Sequence, residues 1–337
     1  MAGGQKKTGS ILRSDLMDML EELSFEQLNL VADKIAPVAG VSKRSAAYPV
    51  LPREVRGKIP DTRRAKKGGF ARGEWNYDED TYISREYGYE EFVDETEALE
   101  VGEWIDLEKD AGELAVQGLL KAREARVASV FMNESIWTGA NNIVTLGSAD
   151  HAWRGKNSTA KVYDYIDTAA QLIRAKAFLG KASLTLAVTD DILNSVMRSA
   201  EVTSDTKYTL NLLTLPVEAK KQWLASYLGI GSVEVVSNLF DSAGLGQSAV
   251  ASRYWNNNYG FLGYVGKGGK TTLKSQLAVK QINWDVYSKD YYIESYEDES
   301  RKGRVIRAVE YRGEKVNTDF GVMIKGLDPT ADAVTGM

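Results

Sequence analysis

The sequence contains no cysteine and only one histidine among its 337 residues. Disulfide bonds, thiolate metal sites and cysteine nucleophiles are therefore excluded, and so are metal clusters or catalytic pairs that need several histidines. No apolar run approaches the roughly 18–20 residues that a membrane-spanning helix needs. The first ten residues are basic, but no apolar stretch follows them, so they do not resemble a secretory signal. We expect a soluble intracellular chain with few options for catalysis.

What the sequence does contain is a strong local separation of charge. The net charge is only −5, from 42 basic and 47 acidic residues, which argues against a general nucleic-acid-binding protein. Residues 53–72 nevertheless hold eight basic side chains against two acidic ones, and residues 74–103 hold twelve acidic side chains against one basic one. Such runs form either two solvated faces or an element whose basic half contacts the acidic half of a neighbouring copy.

Alternation of polar and apolar residues from Trp75 to Phe92 predicts a β-strand, because successive side chains of a strand point to opposite faces. Unbroken, this strand would span about 60 Å, whereas a globule of this length is on the order of 50 Å across. The strand must therefore either break or leave the body of its subunit. Lys66–Gly69 supplies a turn upstream of it. We predict a long β-hairpin arm from Val50 to Phe92.

One face of this arm is predicted to be mainly aromatic, and it comprises Trp75, Tyr77, Thr81, Ile83, Tyr87 and Tyr89. An arm with such a face and no partner in its own chain would be prone to aggregation, so it implies a neighbouring subunit. The predicted intersubunit contact residues are Arg56, Arg63, Arg64, Lys66, Lys67, Arg72, Trp75, Tyr77, Asp80, Glu86, Glu90, Glu91 and Glu95.

Helical patterns flank the arm on both sides. The segment Ile11–Ile35 is amphipathic and docks either on the core of its own subunit or on a partner. Asp106–Phe131 is the clearest helix in the sequence, with Asp106 as its N-cap, one stripe of small side chains and a second stripe of bulky ones. The bulky stripe predicts that this helix is a scaffold on which a core is built.

Helices and strands alternate from Lys161 to Asn238, which is typical of a mixed α/β domain. Its first helix is predicted over Val162–Phe178, closing at Gly180, because glycine readily takes the left-handed conformation that ends many helices. From Leu277 onward the pattern changes to strands.

The glycine-rich stretch Gly266–Thr272 is the nearest approach to a nucleotide site. A phosphate-binding loop needs a glycine five residues before the one that precedes Lys-Thr, and a helix after it, because backbone N–H groups wrap the phosphate. Tyr264 occupies that place, and no helical pattern follows Thr272. A β-turn or loop is the favoured interpretation.

For three further candidate functional sites, the sequence favours a structural role. His151 could act as a general base, but no nucleophile motif accompanies it. Asp190 and Asp191 could bind a hard cation, yet a helix start explains two adjacent acids equally well. The aromatic and Asn-rich segment from Arg253 to Tyr264 is predicted to be an exposed loop that contacts other subunits, in preference to a carbohydrate or nucleic-acid platform.

The order of these elements resembles the major capsid proteins of tailed bacteriophages. A polar N-terminal arm, a hairpin with opposed charge blocks, a long helix, an α/β domain and a strand-rich return follow one another. The C-terminal segment is similar to the strands that complete the peripheral domain of these proteins, through Tyr291–Tyr296, Asp298–Ser300, Gly303, Val305–Ala308, Glu310–Tyr311 and Gly321. The resemblance implies an α+β fold with an N-terminal arm, an extended β-hairpin loop, a peripheral domain with a long spine helix and a β-sheet, and an α/β axial domain.

The resemblance also implies a division of the chain. The regions are the N-terminal arm and first strand at 1–49, the extended loop at 50–103, the peripheral domain with the spine helix at 104–160, the axial domain at 161–262, and a return of C-terminal strands at 263–337. Only about thirty-five residues precede the core, so any scaffolding segment is expected to be separate or very short. Some members form a Lys–Asn cross-link between subunits, and no pattern here identifies such a pair.

The implied function is structural, without an active site, cofactor or metal. Many copies would form pentamers and hexamers that close into an icosahedral shell around packaged double-stranded DNA, in a virion assembled in the host cytoplasm. The expected partners are further copies, portal, scaffolding and decoration proteins, and DNA held without sequence specificity, with no membrane. The alternatives are an encapsulin-like nanocompartment shell and, less favoured, a nucleotide-binding enzyme centred on Gly266–Thr272.

Overall fold

The computed structural model of the protein describes residues 11–21, 30–50, 52, 59, 62–64, 66, 68–70, 77–101, 106–147, 152–154, 159–206, 214–244, 246–266, 270–286 and 289–328. Within these ranges the strands are β1 Ile11–Leu12, β2 Val38–Val41, β3 Ser45–Val50, β4 Asp78–Ile83, β5 Arg85–Asp94, β6 Ile143–Thr145, β7 Thr185–Thr189, β8 Ser232–Val236, β9 Leu239–Asp241, β10 Ala251–Arg253, β11 Tyr259–Gly263, β12 Lys270–Thr271, β13 Val279–Trp284, β14 Tyr292–Asp298, β15 Gly303–Val316 and β16 Gly321–Lys325. The α-helices are α1 Ser14–Glu21, α2 Ala32–Ile35, α3 Glu95–Val101, α4 Leu107–Phe131, α5 Val162–Ala177, α6 Asp190–Arg198, α7 Ala200–Thr206 and α8 Val217–Leu228.

The larger of two main sheets has seven strands and is built around the long strand β15. Its order is β1, β14, β15, β13, β2, β12, and β5 pairs with the opposite side of β15 from β14. Helix α4 packs across one face of this sheet, where Leu119 and Leu120 meet Ile293 and Ile306 in a buried cluster. A long helix on a sheet buries one face of each, which is the usual two-layer solution for a domain core.

The second main sheet has five strands in the order β6, β16, β11, β7, β8. Strand β11 runs antiparallel to both its neighbours, while the β7–β8 and β6–β16 pairs are parallel. Helices α5, α6 and α8 contact this sheet, and Ile166, Leu186 and Val322 belong to the core between them. The predicted mixed α/β region is therefore present, and it takes β16 from the C-terminal part of the chain.

The spine helix α4 begins one residue later than predicted and ends where predicted. The Asp106 carboxylate accepts a hydrogen bond from the Lys109 backbone N–H at 3.2 Å, which confirms Asp106 as the N-cap. In the stripe of small residues, Gly118 accommodates the ring of Tyr89 from β5, and a Cβ at this position would lie 2.8 Å from that ring. The small stripe thus lets a strand approach the helix closely.

Two sequence predictions are wrong, and one alternative that the sequence left open is decided by the fold. Helix α5 does not end at Gly180: Phe178 takes the left-handed conformation, with φ of 57°, and its N–H closes the last turn on the Arg174 carbonyl at 3.1 Å. The exposed loop predicted over 253–264 is wrong, because Trp255 and Phe261 are buried and β11 is the central strand of the five-stranded sheet. The N-terminal segment docks on its own subunit, since Leu16 is buried against α4 and β14.

Along the described ranges, no helix combines the length and the low polarity that crossing a membrane would require.

Candidate functional site

The antiparallel stem of the predicted hairpin is present, and we use the word hairpin for residues 45–83. Its stem is the antiparallel pair β3–β4, in which Ser45 lies opposite Ile83 and Val50 lies opposite Asp78. The stem therefore starts five residues earlier than the Val50 predicted from the sequence. Six residue pairs fix the register of this stem.

The strand predicted from Trp75 to Phe92 breaks at Ser84, which was one of its two possible outcomes. Ser84 is buried, its hydroxyl donates to the Ile282 carbonyl at 3.2 Å, and its N–H donates to the Arg44 carbonyl at 2.8 Å. After this bend the chain enters the seven-stranded sheet as β5. The hairpin and β5 are thus two different elements, joined by one anchored residue.

The break also means that the predicted faces must be considered separately on β4 and on β5. On β4 it is Tyr82 that is buried, against Tyr48, while Ile83 points to solvent, so the predicted face is wrong there. On β5, Tyr87 and Tyr89 share a face as predicted, but this face lies against α4 of the same chain and not against a neighbour, with the Arg126 guanidinium 3.7 Å from the centre of the Tyr87 ring.

The prediction that the acidic return strand lacks a partner in its own chain is wrong. All ten residues of β5 pair with β15, from Gly303 opposite Asp94 to Arg312 opposite Arg85. The continuation of the predicted arm into β5 is therefore part of the body of the subunit. The prediction of a reaching element is thereby restricted to residues upstream of Ser84.

A polar cluster holds the base of the hairpin. Asp80 accepts hydrogen bonds from the Tyr48 hydroxyl at 3.1 Å and from Lys315 Nζ at 2.5 Å. Partial burial would raise the pKa of Asp80, but the hydrogen bonds from Lys315, the Thr81 N–H and Tyr48, together with the positive charge of Lys315, hold this pKa below its ordinary value. The Lys280 ammonium lies 5.2 Å from the centre of the Tyr48 ring, and burial lowers its pKa to about 8. These contacts connect the hairpin to β13 and β15.

The predicted contact residues fall into three groups. Those outside the described residues are Arg56, Lys67, Arg72 and Trp75. Those exposed on the hairpin are Arg63, Arg64, Lys66 and Tyr77. Those with an established position in the body or at the hairpin base are Asp80, Glu86, Glu90, Glu91 and Glu95.

The four glutamates of the last group differ from one another in exposure and in their contacts. Glu86 and Glu95 are exposed, whereas Glu91 is half-buried. Glu90 forms a 3.5 Å ion pair with Arg307 and accepts a hydrogen bond from the Tyr296 hydroxyl at 3.3 Å. Most of these acids therefore line one strand of the body, and the basic residues lie on a separate element.

The hairpin also carries large apolar side chains into solvent. Ile59 is 96% exposed, Phe70 71%, Ile83 59% and Tyr77 58%. The Arg64 guanidinium lies 5.0 Å from the centre of the Phe70 ring, and its Nε donates to the Gly68 carbonyl at 2.7 Å. Exposed apolar groups next to cations are typical of surfaces that become buried in protein–protein contacts.

The sequence patterns did not reveal a buried group of charges between α4 and β15. We call it the ionic junction, and it comprises Asp33, Arg123, Arg126, Glu310, Arg312 and Glu314. Burial would raise the pKa of Glu310, but the positive charges of Arg123, Arg312 and Arg126 hold it below its ordinary value. The available signal was the presence of Arg123 on the bulky stripe of α4.

Glu124, the next residue of α4, ties three elements together. Its carboxylate accepts hydrogen bonds from the N–H groups of Val31 and Ala32, at 3.1 and 2.8 Å, and from the Trp255 indole at 3.1 Å. Burial raises the pKa of Glu124 despite these three donors. The arrangement explains why the Trp255 segment lies inside the protein.

The remaining candidate sites acquire structural explanations. Strand β12 begins at Lys270 and pairs with β2, and no helix starts within residues 270–286, so the second requirement of a phosphate loop is not met. Asp190 and Asp191 form ion pairs with Arg253 at 2.7 and 2.8 Å. His151 lies outside the described residues. Where side chains are described, no group of three or more acidic or histidine residues could hold a metal ion.

No protein-family model matches the sequence, and no curated protein matches it significantly. Solved structures do match. A phage-related protein from Bordetella bronchiseptica superimposes with a TM-score of 0.69 at 15% identity, covering 95% of this chain and 98% of that one. The mature capsid of bacteriophage PhiM1 gives a TM-score of 0.50 at 9% identity, covering 96% of this chain and 90% of that one.

An encapsulin complex from Synechococcus elongatus gives a TM-score of 0.51 at 9% identity, with 98% and 94% of the two chains covered. At these identities the likeness establishes the fold alone. The chain has the α+β fold of tailed-phage major capsid proteins, which encapsulins share, and this confirms the fold predicted from the sequence.

Proposed function

We propose that this chain is a major capsid protein, a structural and non-enzymatic subunit that assembles into pentamers and hexamers of an icosahedral phage head around packaged DNA. The observation that carries the proposal is the hairpin: on a fold shared over nearly the whole chain with a phage capsid subunit, it presents apolar and basic side chains to solvent. A monomer gains nothing from this exposure, whereas a shell buries it.

The physical requirements of a shell support the same function. Contacts between two different surfaces of identical subunits generate rings when the rotation closes. Individually weak contacts become strong when many are engaged at once. The proposed partners are therefore further copies first, with portal, scaffolding and decoration proteins and non-specifically held DNA in the finished virion.

The direct test is the assembly state of the purified full-length chain. We expect capsomers or megadalton particles by sedimentation and negative-stain microscopy. A monomer at every protein and salt concentration would contradict the proposal.

The role of the hairpin is tested by reversing its charges at Arg63, Arg64, Lys66 and Lys67. We expect assembly to be lost while the thermal unfolding of the subunit is unchanged. The matched control exchanges arginine and lysine at the same four positions, which preserves the charge and should preserve assembly. Normal particles from the reversed variant would show that these charges have no role in assembly.

The second candidate is an encapsulin-like compartment. It is favoured by the Synechococcus elongatus encapsulin, whose TM-score of 0.51 is comparable to the 0.50 of the phage capsid. The two functions differ in what the shell contains. Mass spectrometry and nucleic-acid analysis of native particles should find portal proteins and double-stranded DNA in a phage head, and a protein cargo in a compartment.

We retain the division of the chain at 104–160, 161–262 and 263–337 as a proposal. The separate cores of the two main sheets support an axial and a peripheral domain. Strands β6 and β16 pair within the five-stranded sheet, so the axial domain includes these two strands from the flanking regions.

A further inference from the structure

Strand β1 lies at the edge of the seven-stranded sheet, where it pairs antiparallel with β14. Ile11 lies opposite Ser295, and the N–H of Arg13 donates to the Ile293 carbonyl at 2.9 Å. Along a strand, the backbone N–H and C=O groups point alternately to its two sides. The odd-numbered residues of β14, Glu297 among them, therefore direct these groups towards the side of β1.

The same edge of β14 continues beyond β1. Ser295 is the fourth residue of β14, and three more residues follow it before the strand ends at Asp298. Strand β1 begins at Ile11, so it does not reach these three residues. Continuing its register towards the N-terminus brings Gly9 opposite Glu297. The N–H and carbonyl of Glu297 are thus placed to bond the backbone of Gly9.

The end of β14 also borders a groove with an excess of negative charge. The groove lies between the β14–β15 turn, α3 and the start of α4, and six acids and two bases line it. The acids are Asp94, Glu95, Glu108, Glu297, Asp298 and Glu299. Glu108 is bound by Arg13 and Arg304, whereas Glu95 and Glu299 have no ion-pair partner among the described residues. The described part of the subunit therefore leaves negative charge unpaired at the end of β14.

The segment that precedes Ile11 has the opposite charge. Residues 1–10 lie outside the described residues, and their sequence contains Lys6 and Lys7 but no acid and no proline. Without proline, every residue of the segment keeps the N–H that a strand ladder needs. Lys7 lies four residues before Ile11, about 13 Å along a strand, and the continued register brings it opposite Glu299.

We propose that residues 8–10 extend β1 along β14 of the same subunit, and that Lys7 lies against Glu299 at the mouth of the groove. The occupant is the subunit's own segment, because Ile11 is already fixed on β14 and Ser10 precedes it without a gap. The extension covers an edge that would otherwise be open to pairing with another chain. It belongs to the isolated subunit and goes beyond the proposed function, since it needs no assembly.

The first experiment measures hydrogen exchange of dissociated full-length subunits, resolved by amide. Gly9→Pro removes the N–H that donates to the Glu297 carbonyl, so we expect the Glu297 amide to exchange at least fivefold faster. The matched control is Thr8→Pro, because the N–H of Thr8 points away from β14 and a proline there costs no bond to it. The same Glu297 exchange rate in wild type and in both variants would overturn the proposal.

The second experiment tests the charge contact with the same readout. We expect Lys7→Glu to accelerate exchange of the Glu297 amide about threefold, and the added change Glu299→Lys to restore it. Lys6→Glu makes the same change in net charge on the opposite face of the strand, so it serves as the control. Equal acceleration by Lys6→Glu and Lys7→Glu, or no recovery in the exchanged pair, would overturn the contact between Lys7 and Glu299.

The identity of the occupant is tested by concentration. We expect protection of the Glu297 amide to be the same at every concentration of dissociated wild-type subunits. Protection that appears only on assembly would show that a second copy supplies the strand, which would overturn the proposal while leaving the shell function intact. Failure of the wild-type protein to assemble would contradict the shell function without affecting these measurements.

Discussion

Charge is treated in opposite ways by two regions of this molecule. In the ionic junction, Arg123 and Glu310 are almost completely buried and bonded to each other. On the hairpin and β5, the block of basic side chains and most of the acidic block lie on different elements, and Arg63, Arg64 and Glu86 are exposed. The first region neutralises its charges within the chain, whereas the second leaves an excess of each sign on its own surface.

The difference separates folding from assembly. Removing one partner from a buried ion pair leaves an uncompensated charge, so the ionic junction disfavours alternative packings of α4 on β15. Exposed charges contribute little to the stability of a subunit, because water screens them. Their separation by sign is consistent with the proposed assembly, in which another copy would supply the opposite sign. Variants in the two regions should therefore affect different measurements.

The largest effect on stability is expected from Glu310→Gln in the ionic junction. The substitution keeps the size of the side chain but removes the negative charge that faces Arg123 and Arg126. Breaking a buried pair in this way typically lowers the free energy of unfolding by about 3–5 kcal/mol. Urea unfolding of dissociated subunits measures the loss. The control Glu100→Gln, on the exposed side of α3, should change stability by less than about 0.5 kcal/mol, and equal losses in both variants would refute the role of the junction.

The next largest effect on stability is expected when the buried carboxylate of Glu124 loses one of its three hydrogen-bond donors. Trp255→Phe keeps an aromatic ring but removes the N–H that Glu124 accepts at 3.1 Å. Loss of one hydrogen bond to a buried charged group lowers stability by about 1–3 kcal/mol.

The matched control for this prediction is Trp153→Phe. Trp153 is equally buried, and its indole nitrogen has no hydrogen-bond partner among the described residues. The two variants lose similar volume, so the difference between their urea midpoints isolates the bond to Glu124. A larger loss for Trp153→Phe would contradict the tie between Trp255 and Glu124.

A smaller effect is expected where the body meets the hairpin. Asp80→Asn removes the charge that pairs with Lys315 but keeps an acceptor for the Tyr48 hydroxyl. Because both partners are partly exposed, the loss of subunit stability should be about 0.2–1 kcal/mol. The control Asp78→Asn lies on the same strand and is exposed. We expect only Asp80→Asn to accelerate amide exchange in β3 and β4, and identical exchange in the two variants would argue against a polar anchor at this position.

These regions also differ in how far the sequence predicts them. Helix α4 was predicted to within one residue because its cap and its apolar stripe are local signals. The inversion of faces at Ser84 was not predictable, since it depends on a carbonyl 198 residues away. The ionic junction depends on a pairing of Arg123 with Glu310 across 187 residues. Local periodicity identifies an element, but the partner of a charged side chain is set by tertiary register.

The same reasoning explains why the sequence could not distinguish all of the predicted contact residues from residues that pair within their own chain. Composition showed two blocks of opposite charge, and it could not show that most of the acidic block belongs to the fold. Glu90 illustrates the difficulty, because it lies in that block and yet pairs with Arg307 of its own chain. Only the pairing of β5 with β15 distinguishes acids that are already neutralised from those, such as Glu86, that remain exposed.

The last prediction concerns Lys280, which is buried at the base of the hairpin but has no carboxylate in direct contact among the described residues. Burial lowers its pKa to about 8, below the ordinary 10.5. A lysine with a lowered folded-state pKa favours the folded state fully above its unfolded pKa, and this contribution is lost as the pH falls through the folded pKa.

Relative to a Lys280→Met variant, the wild-type subunit should therefore gain stability between pH 8 and pH 10.5. Urea midpoints at three pH values measure the difference, and Lys274→Met, at an exposed position, serves as the control. If the urea midpoints of wild type and Lys280→Met change with pH in parallel, burial does not raise the free energy of charging Lys280 above that of a surface lysine. Lys280 lies against Tyr48 at the base of the hairpin. The same result would therefore also contradict the assignment of this base to the interior of the subunit.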